Sequence, residues 1–416
     1  MKNKKRSRPI RSKLSVLRQL CNLIPTHLVS QLARETGAAD KARTFSCWSH
    51  VVSMVFAQLT HAIGLNDVCD SLRLFSGSLL GIRGATAPSR NNLSHANKVR
   101  PAALAERLFW KTLEHLRQTP GFAGGGRKRW AHRFKASIHV VDSTTIHLIA
   151  SCLDWAKHRR RKAAAKCHLR LDLQSHLPSF VLIDTAREAD AKRGREACAG
   201  LKAGEIVVFD KAYMDLIHLD QLEQRGVWWI TRAKENMQYR VVKRRLKKPE
   251  GKILRDDEIV YTGTVSRQRY PGKLRRIVAL VEVDGVEQEM VFLTNNFQWA
   301  PSSVAQLYRC RWEIEVFFKQ IKQTLQLADF LGNSANAVRW QLWIALLTYV
   351  LLRYQAFLSQ WGSSFLRLWA VIRSGLWLKL DLVSLLKSYG TAGGQFRLLG
   401  RPEQAYLPGF YPVAMG

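Results

Sequence analysis

The hydrophobic and polar positions divide the chain into a helical, a mixed and a second helical stretch. Through residues 14–120, apolar residues recur at three- and four-residue spacings, which predicts helices. A glycine-rich segment at residues 121–127 predicts a linker. Helical spacing returns over residues 302–388, with a Gly/Ser interruption inside it.

Between the helical stretches lie five short runs rich in β-branched and aromatic residues, which predict strands. Helical patterns precede the fourth and the fifth run. Three strands joined by turns, followed by helix, strand, helix and strand, predict a mixed α/β sheet. The five runs cover residues 138–142, 167–173, 180–184, 206–210 and 227–231.

Residues 236–300 interrupt this order and predict a separate β-rich insertion. The segment begins with a very basic run at residues 240–248. Three apolar runs follow and predict strands at residues 259–262, 277–283 and 290–293.

The charge of the chain is strongly positive. Its 416 residues include 65 Lys and Arg against 32 Asp and Glu, a net charge of +33, while 47% hydrophobic residues suffice for a folded protein. This excess favours a polyanionic partner bound through many phosphate contacts. A basic protein at a membrane surface is the alternative. The most apolar run, residues 342–352, is too short to span a bilayer and predicts a buried helix.

Cysteine usage and the N-terminus indicate the compartment. The seven cysteines are scattered and form no CxxC pair, which argues against a zinc site or a disulfide framework and favours a reducing cytosol. Residues 1–13 contain seven Lys or Arg and no acid, which predicts a flexible basic arm. No apolar core follows this arm, so a secretory signal is not expected.

Residues 308–325 predict a single helix with two faces. An acid flanked by two cations and a phenol occupies one face, which suits a metal site that also holds a phosphate. These polar residues are Tyr308, Arg311, Glu315 and Lys322, at offsets 0, 3, 7 and 14. The opposite face is apolar and consists of Ile314, Phe317, Phe318, Ile321 and Leu325.

Two aspartates, Asp142 and Asp210, each end a predicted strand and are placed to meet Glu315 at one sheet edge. Converging carboxylates repel each other unless a cation neutralises them. Oxygen ligands favour Mg²⁺ or Mn²⁺ over Zn²⁺, and two such ions about 3.5–4 Å apart can clamp an in-line displacement at phosphorus. The alternative for each aspartate is a cap or a surface residue.

The polar face resembles the YREK motif of the insertion-sequence-four family of DDE transposases, in the order Tyr308-x2-Arg311-x3-Glu315-x6-Lys322. The resemblance covers roughly residues 130–330. It extends to the letters DST at Asp142, DKAY at Asp210, TRAK at Thr231–Lys234 and TNN ahead of the motif helix.

This resemblance implies a DNA transposase with an α/β, ribonuclease-H-like mixed sheet core. Asp142, Asp210 and Glu315 would be the catalytic acids and would ligate two Mg²⁺ or Mn²⁺ ions. One ion would activate water or a DNA 3′-hydroxyl, and the other would stabilise the leaving 3′-oxygen. Arg311 and Lys322 would hold phosphates near the cut. For Tyr308, a phosphate contact and a packing role both stay open.

The resemblance also implies the organisation and the partners of the protein. The enzyme would bind double-stranded DNA, both the terminal inverted repeats of its element and the target, as a homodimer in the synaptic complex. It would act in the bacterial cytoplasm at the nucleoid, with no membrane. Its parts would be a basic arm (1–13), a helical DNA-binding domain (14–120), the catalytic core (130–235 and 301–330), a β-rich insertion (236–300) and a helical C-terminal region (331–416).

Further DNA contacts are expected from several polar side chains, with a solvated surface as the alternative. Residues 88–97 predict a polar helix capped by Ser89, suited to reading DNA. The candidates are Arg90, Asn91, Arg160, Lys166, Arg232 and Lys234. Some relatives stack an aromatic residue on a flipped base; the candidates here are Trp228, Trp229, Trp299 and Tyr270.

Two other functions compete with an active transposase. One is a metal-dependent DNA nuclease of the same fold that performs no strand transfer. The other is an inactive DNA-binding protein derived from a transposase, although all three candidate acids are present.

Overall fold

The computed structural model of the chain describes residues 8–39, 45–123, 134, 136–148, 157–159, 162–185, 190–283, 285–324 and 330–389. Within these residues, ten strands form one β-sheet, and helices precede, interrupt and follow the strands.

Seven helices occupy the described residues ahead of the sheet, so the prediction of helices in this stretch is confirmed. Ser15, Ser46 and Ser89 begin three of them, because each hydroxyl accepts a hydrogen bond from the backbone N–H three residues on. The helices are α1 (Val16–Cys21), α2 (Leu28–Glu35), α3 (Cys47–Thr60), α4 (Leu65–Leu74), α5 (Ser76–Leu80), α6 (Arg90–Val99) and α7 (Ala102–Arg117).

The first six strands are β1 (Ile138–Leu148), β2 (Lys157–Arg159), β3 (Lys162–Asp172), β4 (Leu177–Thr185), β5 (Ile206–Phe209) and β6 (Trp228–Arg232). β3 pairs antiparallel with β1, β2 and β4. On its other side β1 runs parallel to β5, and β5 runs parallel to β6. Helices α8 (Asp190–Cys198) and α9 (Leu216–Gln224) precede the two parallel strands. This order is that of a ribonuclease-H-like core, and the predicted mixed α/β fold is confirmed.

The insertion is rich in strands, as predicted, but it extends the core sheet, so the expectation of a separate unit is wrong. β10 pairs antiparallel with β6, and β9, β8 and β7 follow outward. Only three residue pairs join β6 to β10, too short a contact for the sequence to reveal. These elements are β7 (Tyr239–Arg244), β8 (Ile253–Tyr261), α10 (Thr264–Arg269), β9 (Leu274–Val283) and β10 (Val286–Thr294).

Strand β7 overlaps the basic run and was not expected. Five of its six residues are exposed, so no buried face produces the alternation that predicts a strand.

The helices after the sheet are α11 (Pro301–Arg309), α12 (Trp312–Lys319), α13 (Ala335–Leu358), α14 (Phe365–Ser374) and α15 (Leu382–Ser388). α13 contacts α3 and α7, and Trp340 Nε1 donates a hydrogen bond to the Arg100 carbonyl at 2.7 Å. Among the described residues, α13 is the single helix that is long and apolar enough to cross a membrane. The helices α3 and α4 would be long and apolar enough only if this bent pair formed one span. In the most apolar 18-residue stretch of α13, 72% is buried inside the protein. The helix is therefore a core helix, as predicted for residues 342–352.

The two ends of the described chain are joined to each other. Arg11 pairs with Leu380 in a β-bridge, and the backbone N–H of Ser12 donates to the Lys379 carbonyl at 2.9 Å. Gln19 adds a side-chain hydrogen bond to the Leu380 carbonyl at 2.7 Å. The described part of the predicted flexible arm is therefore fixed to the C-terminal helices, and residues 1–7 lie outside the described residues.

Candidate active site

The segment that carries the polar motif is not the single helix that the sequence predicts. Tyr308 lies at the end of α11, Glu315 in the first turn of α12, and Lys322 in a π-helical turn, Gln320–Thr324. Arg311 stands at the junction, where the backbone N–H of Arg311 donates to the Tyr308 carbonyl at 3.0 Å. Bonds of this i to i−3 type tighten the helix, whereas the π turn widens it. The four residues therefore do not share one regular stripe.

The apolar side of this segment packs as predicted. Ile314, Phe317, Phe318 and Ile321 are buried in the main core. Phe317 contacts Tyr349 of α13 edge to face, with ring centroids 4.8 Å apart. Leu325 lies outside the described residues.

The sheet brings the two aspartates side by side. Val141 of β1 is the register partner of Phe209 of β5, so Asp142 and Asp210 are the next residues of two adjacent parallel strands. Asp142 does not end its strand, contrary to the prediction, because β1 continues to Leu148 paired with β3 alone. The polar residues Ser143, Thr144 and Thr145 end the apolar run of the sequence, although they belong to the strand.

Arg311 and Tyr308 connect the three acids. Arg311 Nη1 lies 3.1 Å from Asp142 Oδ2, and Arg311 Nη2 lies 2.7 Å from Glu315 Oε1. The Tyr308 hydroxyl donates to Asp210 Oδ1 at 3.4 Å. One guanidinium thus neutralises two carboxylates, and a phenol contacts the third.

Burial raises the pKa of the Asp142 carboxyl from 3.8 to about 6. Burial is the largest cause, and the charges of Asp210 and Glu315 add to it. The Ser143 backbone N–H and Arg311 act in the opposite direction. A buried carboxylate with two acidic neighbours binds a proton or a cation readily.

Lys322 contributes a cation at the same edge of the sheet. Its Nζ donates to the Thr145 carbonyl of β1 at 2.8 Å. Burial lowers the pKa of Lys322. The lysine thus lies against the strand that carries Asp142.

The donor set of the site consists of carboxylate oxygens, which are the ligands that Mg²⁺ and Mn²⁺ prefer. Among the residues that the structure describes, no three His, Cys, Asp or Glu side chains lie close enough together to hold an ion as they stand. Arg311 lies between two of the acids and supplies the positive charge. By their chemistry, the carboxylate oxygens of Asp142, Asp210 and Glu315 suit a divalent ion.

The expected DNA contacts fall in different places. Arg232 and Lys234 line a cavity of about 270 Å³ together with Lys211, the residue after Asp210. Lys166 is held in an ion pair 2.7 Å from Asp190 and is only 16% exposed. Arg160 lies outside the described residues.

Arg90 and Asn91 lie on the exposed side of α6, a helix that contacts α4 and α13. Ser89 caps this helix, as predicted. On the buried side of α6, Asn97 holds the helix in place, with its Oδ1 2.8 Å from His50 Nε2.

The aromatic candidates are packing residues, and an exposed tryptophan was missed. Trp229 and Tyr270 are fully buried and contact each other edge to face at 6.1 Å, while Trp228 packs against Trp299. Trp312, directly after Arg311, is 53% exposed. Its position off the apolar stripe was the signal in the sequence that could have identified it.

The amino-acid sequence matches two families of known proteins. The transposase DDE domain family matches residues 133–351, and a domain of unknown function, DUF4372, matches residues 12–82. The putative transposase y4zB of Sinorhizobium fredii is 32% identical over 72% of this chain and 80% of its own length. The chain belongs to the DDE transposase family.

Other relatives of this transposase carry insertion-sequence names. The probable transposase for insertion sequence element IS5377 of Geobacillus stearothermophilus is 30% identical over 53% of this chain and 57% of the relative. Transposase InsG for insertion sequence element IS4 of Escherichia coli is 24% identical over 45% and 42%. The piggyBac transposase synaptic complex with hairpin DNA has 10% identity and a TM-score of 0.45, over 89% of this chain and 83% of that chain.

The predicted insertion-sequence-four DDE transposase is confirmed by these relatives. The protein is an enzyme of DNA cleavage and strand transfer, it acts on DNA, and its family depends on a divalent metal ion. The two competing functions are not favoured.

Proposed function

We propose that this transposase excises and inserts its element with Asp142, Asp210 and Glu315 as the catalytic acids. The observation that carries the proposal is the Arg311 guanidinium, which lies 3.1 Å from Asp142 and 2.7 Å from Glu315. A cation already bridges two of the three acids, at a place where a metal ion would take over its role. The ions would be two Mg²⁺, or Mn²⁺, held by the three carboxylates.

The bound ions would supply an activated oxygen nucleophile and a stabilised leaving oxygen. The protein's own residues hold and orient the DNA. Arg311 has a planar fork of donors, so after leaving the carboxylates it binds a phosphate through two hydrogen bonds. Lys322 acts as a point charge beside β1, and Tyr308 orients Asp210 through its hydroxyl.

Recognition of the terminal inverted repeats is assigned to α6. Arg90, Asn91, Ser94, His95 and Lys98 are exposed on this helix, and the helix contains no acid. An exposed polar helix of this kind fits the major groove of DNA, where asparagine and arginine read base edges. Arg232, Lys234 and Arg160 would contact the backbone nearer the cut. Lys166 is the weakest candidate, because Asp190 already neutralises it.

Two further proposals concern assembly and location. The transposase would act as a homodimer, because two element ends must be held together for a concerted insertion. It would work at the nucleoid in the cytoplasm, where the excess of 65 cations over 32 acids favours contact with DNA.

The experiment that tests the proposal is cleavage of end-sequence DNA by Glu315→Gln. The variant keeps the shape of the side chain and removes the charge, so cleavage should fall at least about 10²–10³-fold, the scale of losing one group that stabilises transition-state charge. DNA binding should persist. Glu313→Gln, two residues away in α12, is the matched control and should cleave normally. Unchanged cleavage by Glu315→Gln would remove the assignment, and nicked products without joined products would indicate a nuclease.

A further inference from the structure

Behind the catalytic acids, a cluster of polar side chains lies on the opposite face of the sheet. Successive residues of a strand point to opposite faces, so Ser143 faces away from the side occupied by Asp142. The two cores agree with this alternation. Val140 packs in the cluster that contains α12, whereas Val141 packs in the cluster that contains α8.

Asp190, the first residue of α8, is the centre of this cluster. Ser143 Oγ donates to Asp190 Oδ1 at 2.9 Å. Lys166 Nζ lies 2.7 Å from Oδ1 and 2.8 Å from Oδ2 of the same carboxylate. The side chains of Lys166 and Asp190 are 16% and 20% exposed, so water screens their ion pair little.

The cluster also reaches the turn that follows the second acid. Tyr213 is three residues after Asp210, and its hydroxyl is hydrogen bonded to His168 Nδ1 at 3.0 Å. His168 is fully buried and is the register partner of Ser143 in β1. His168 Nδ1 also lies 3.6 Å from Asp190 Oδ1, so the imidazole stands between Asp190 and the Tyr213 hydroxyl. One cluster thus ties the turn after the second acid to the strand that carries the first.

We propose that Asp190 is a positioning residue that fixes the separation of Asp142 and Asp210. The inference rests on the proposed function, in which these two acids share the metal ions. Groups behind metal ligands hold those ligands in place, and their loss typically lowers metal affinity about 10–100-fold. Asp190 acts through Ser143 and Tyr213, from the face of the sheet that does not meet the DNA cleavage site.

The test is Mn²⁺ binding by the full-length protein without DNA, followed through the electron paramagnetic resonance signal of the free ion. Asp190→Asn keeps the shape of the side chain and removes its charge. We expect the apparent Mn²⁺ affinity to fall about tenfold. Asp184→Asn is the matched control, because it removes the same charge from an ion pair with Arg193 of α8. Its Mn²⁺ affinity should match that of the unaltered protein.

A second variant separates positioning from folding. Tyr213→Phe removes one hydroxyl and keeps the ring, so the melting temperature should change little. Loss of the hydrogen bond to His168 should weaken Mn²⁺ binding about threefold, the scale of one hydrogen bond. If Asp190→Asn fails to fold, Mn²⁺ binding by Tyr213→Phe decides the proposal.

Asp142→Ala serves as the reference for the acids themselves. If Asp142→Ala binds Mn²⁺ like the unaltered protein, the assignment of the acids is wrong. If Asp142→Ala loses Mn²⁺ while Asp190→Asn and Tyr213→Phe retain full affinity, only the positioning role is overturned.

Discussion

The guanidinium of Arg311 lies 3.1 Å from the carboxylate of Asp142, although the two residues are 169 positions apart in the chain. Their side chains are 16% and 17% exposed, so the pair is partly withdrawn from water. The same guanidinium binds Glu315 at 2.7 Å. Two of the three candidate acids are therefore neutralised by a cation of the protein itself.

Removal of this cation should make the stability of the transposase depend on metal. In Arg311→Gln, Asp142 and Glu315 lose their partner, which should lower the free energy of unfolding by about 2–3 kcal/mol without metal. Mn²⁺ should restore more stability in the variant than in the unaltered protein, because no guanidinium competes with the ion. Thermal unfolding with EDTA and with Mn²⁺ measures both effects. Arg309→Gln, an exposed position, is the control; equal metal responses in the two variants would contradict the prediction.

The exposed indole of Trp312 should contribute to DNA binding and little to folding. Because 53% of the side chain is exposed beside Arg311, Trp312→Ala should leave the melting temperature nearly unchanged. Stacking on a base is worth about 1–3 kcal/mol, so affinity for end-sequence DNA should fall about 5–150-fold. Fluorescence anisotropy measures the affinity. Leu366→Ala, an exposed position on α14, should bind normally; a full-affinity Trp312→Ala would exclude the indole from the interface.

Asn91 should act on sequence preference more than on general DNA affinity. Its amide is exposed on α6, where it can pair with an adenine edge. Asn91→Ala should therefore lose about 1–3 kcal/mol for the terminal repeat and little for random DNA. Lys98→Ala, on the same exposed side, should lose affinity for both alike. Competition binding at fixed salt distinguishes the two, and equal losses for Asn91→Ala on both DNAs would reject the reading role.

His50 should make folding sensitive to acid. Burial lowers its pKa from 6.5 to about 3. The unfolded chain takes up a proton near pH 6.5 and the folded protein does not, so stability is full above pH 6.5 and is lost as pH falls towards 3. The loss should be about 1.4 kcal/mol per pH unit from this group.

Urea unfolding at about pH 7.5 and about pH 5.5 measures this dependence. His50→Gln removes the titrating group and keeps a polar side chain next to Asn97. The variant should show a shallower loss of stability on acidification than the unaltered protein. Equal slopes would mean that His50 does not control the dependence.

The positions of the two aspartates could be predicted because both follow apolar strand runs. Parallel pairing of Val141 with Phe209 then brings Asp142 beside Asp210. The local sequence pattern is sufficient to predict these two strands, because buried parallel strands give continuous apolar runs.

The remaining features depend on contacts between distant segments. At Arg311 the helix is interrupted by backbone hydrogen bonds of the i to i−3 type. The apolar residues of the segment keep helical spacing through this point, so the sequence pattern does not reveal the interruption. The ion pairs of Arg311 with Asp142 and of Lys166 with Asp190 join residues far apart in sequence. No local pattern reveals which acid a given cation meets.

The joining of the chain ends has a consequence for biosynthesis. The backbone bonds from Ser12 to Lys379 and from Leu17 to Leu376, and the packing of α13 against α3 and α7, need residues translated more than 200 positions later. Domains fold during synthesis only when their contacting residues have been made. The helices ahead of the sheet, α6 among them, therefore complete their packing only after the ribosome has translated past residue 380. An aborted translation product would lack that support for α6, the helix proposed to read DNA.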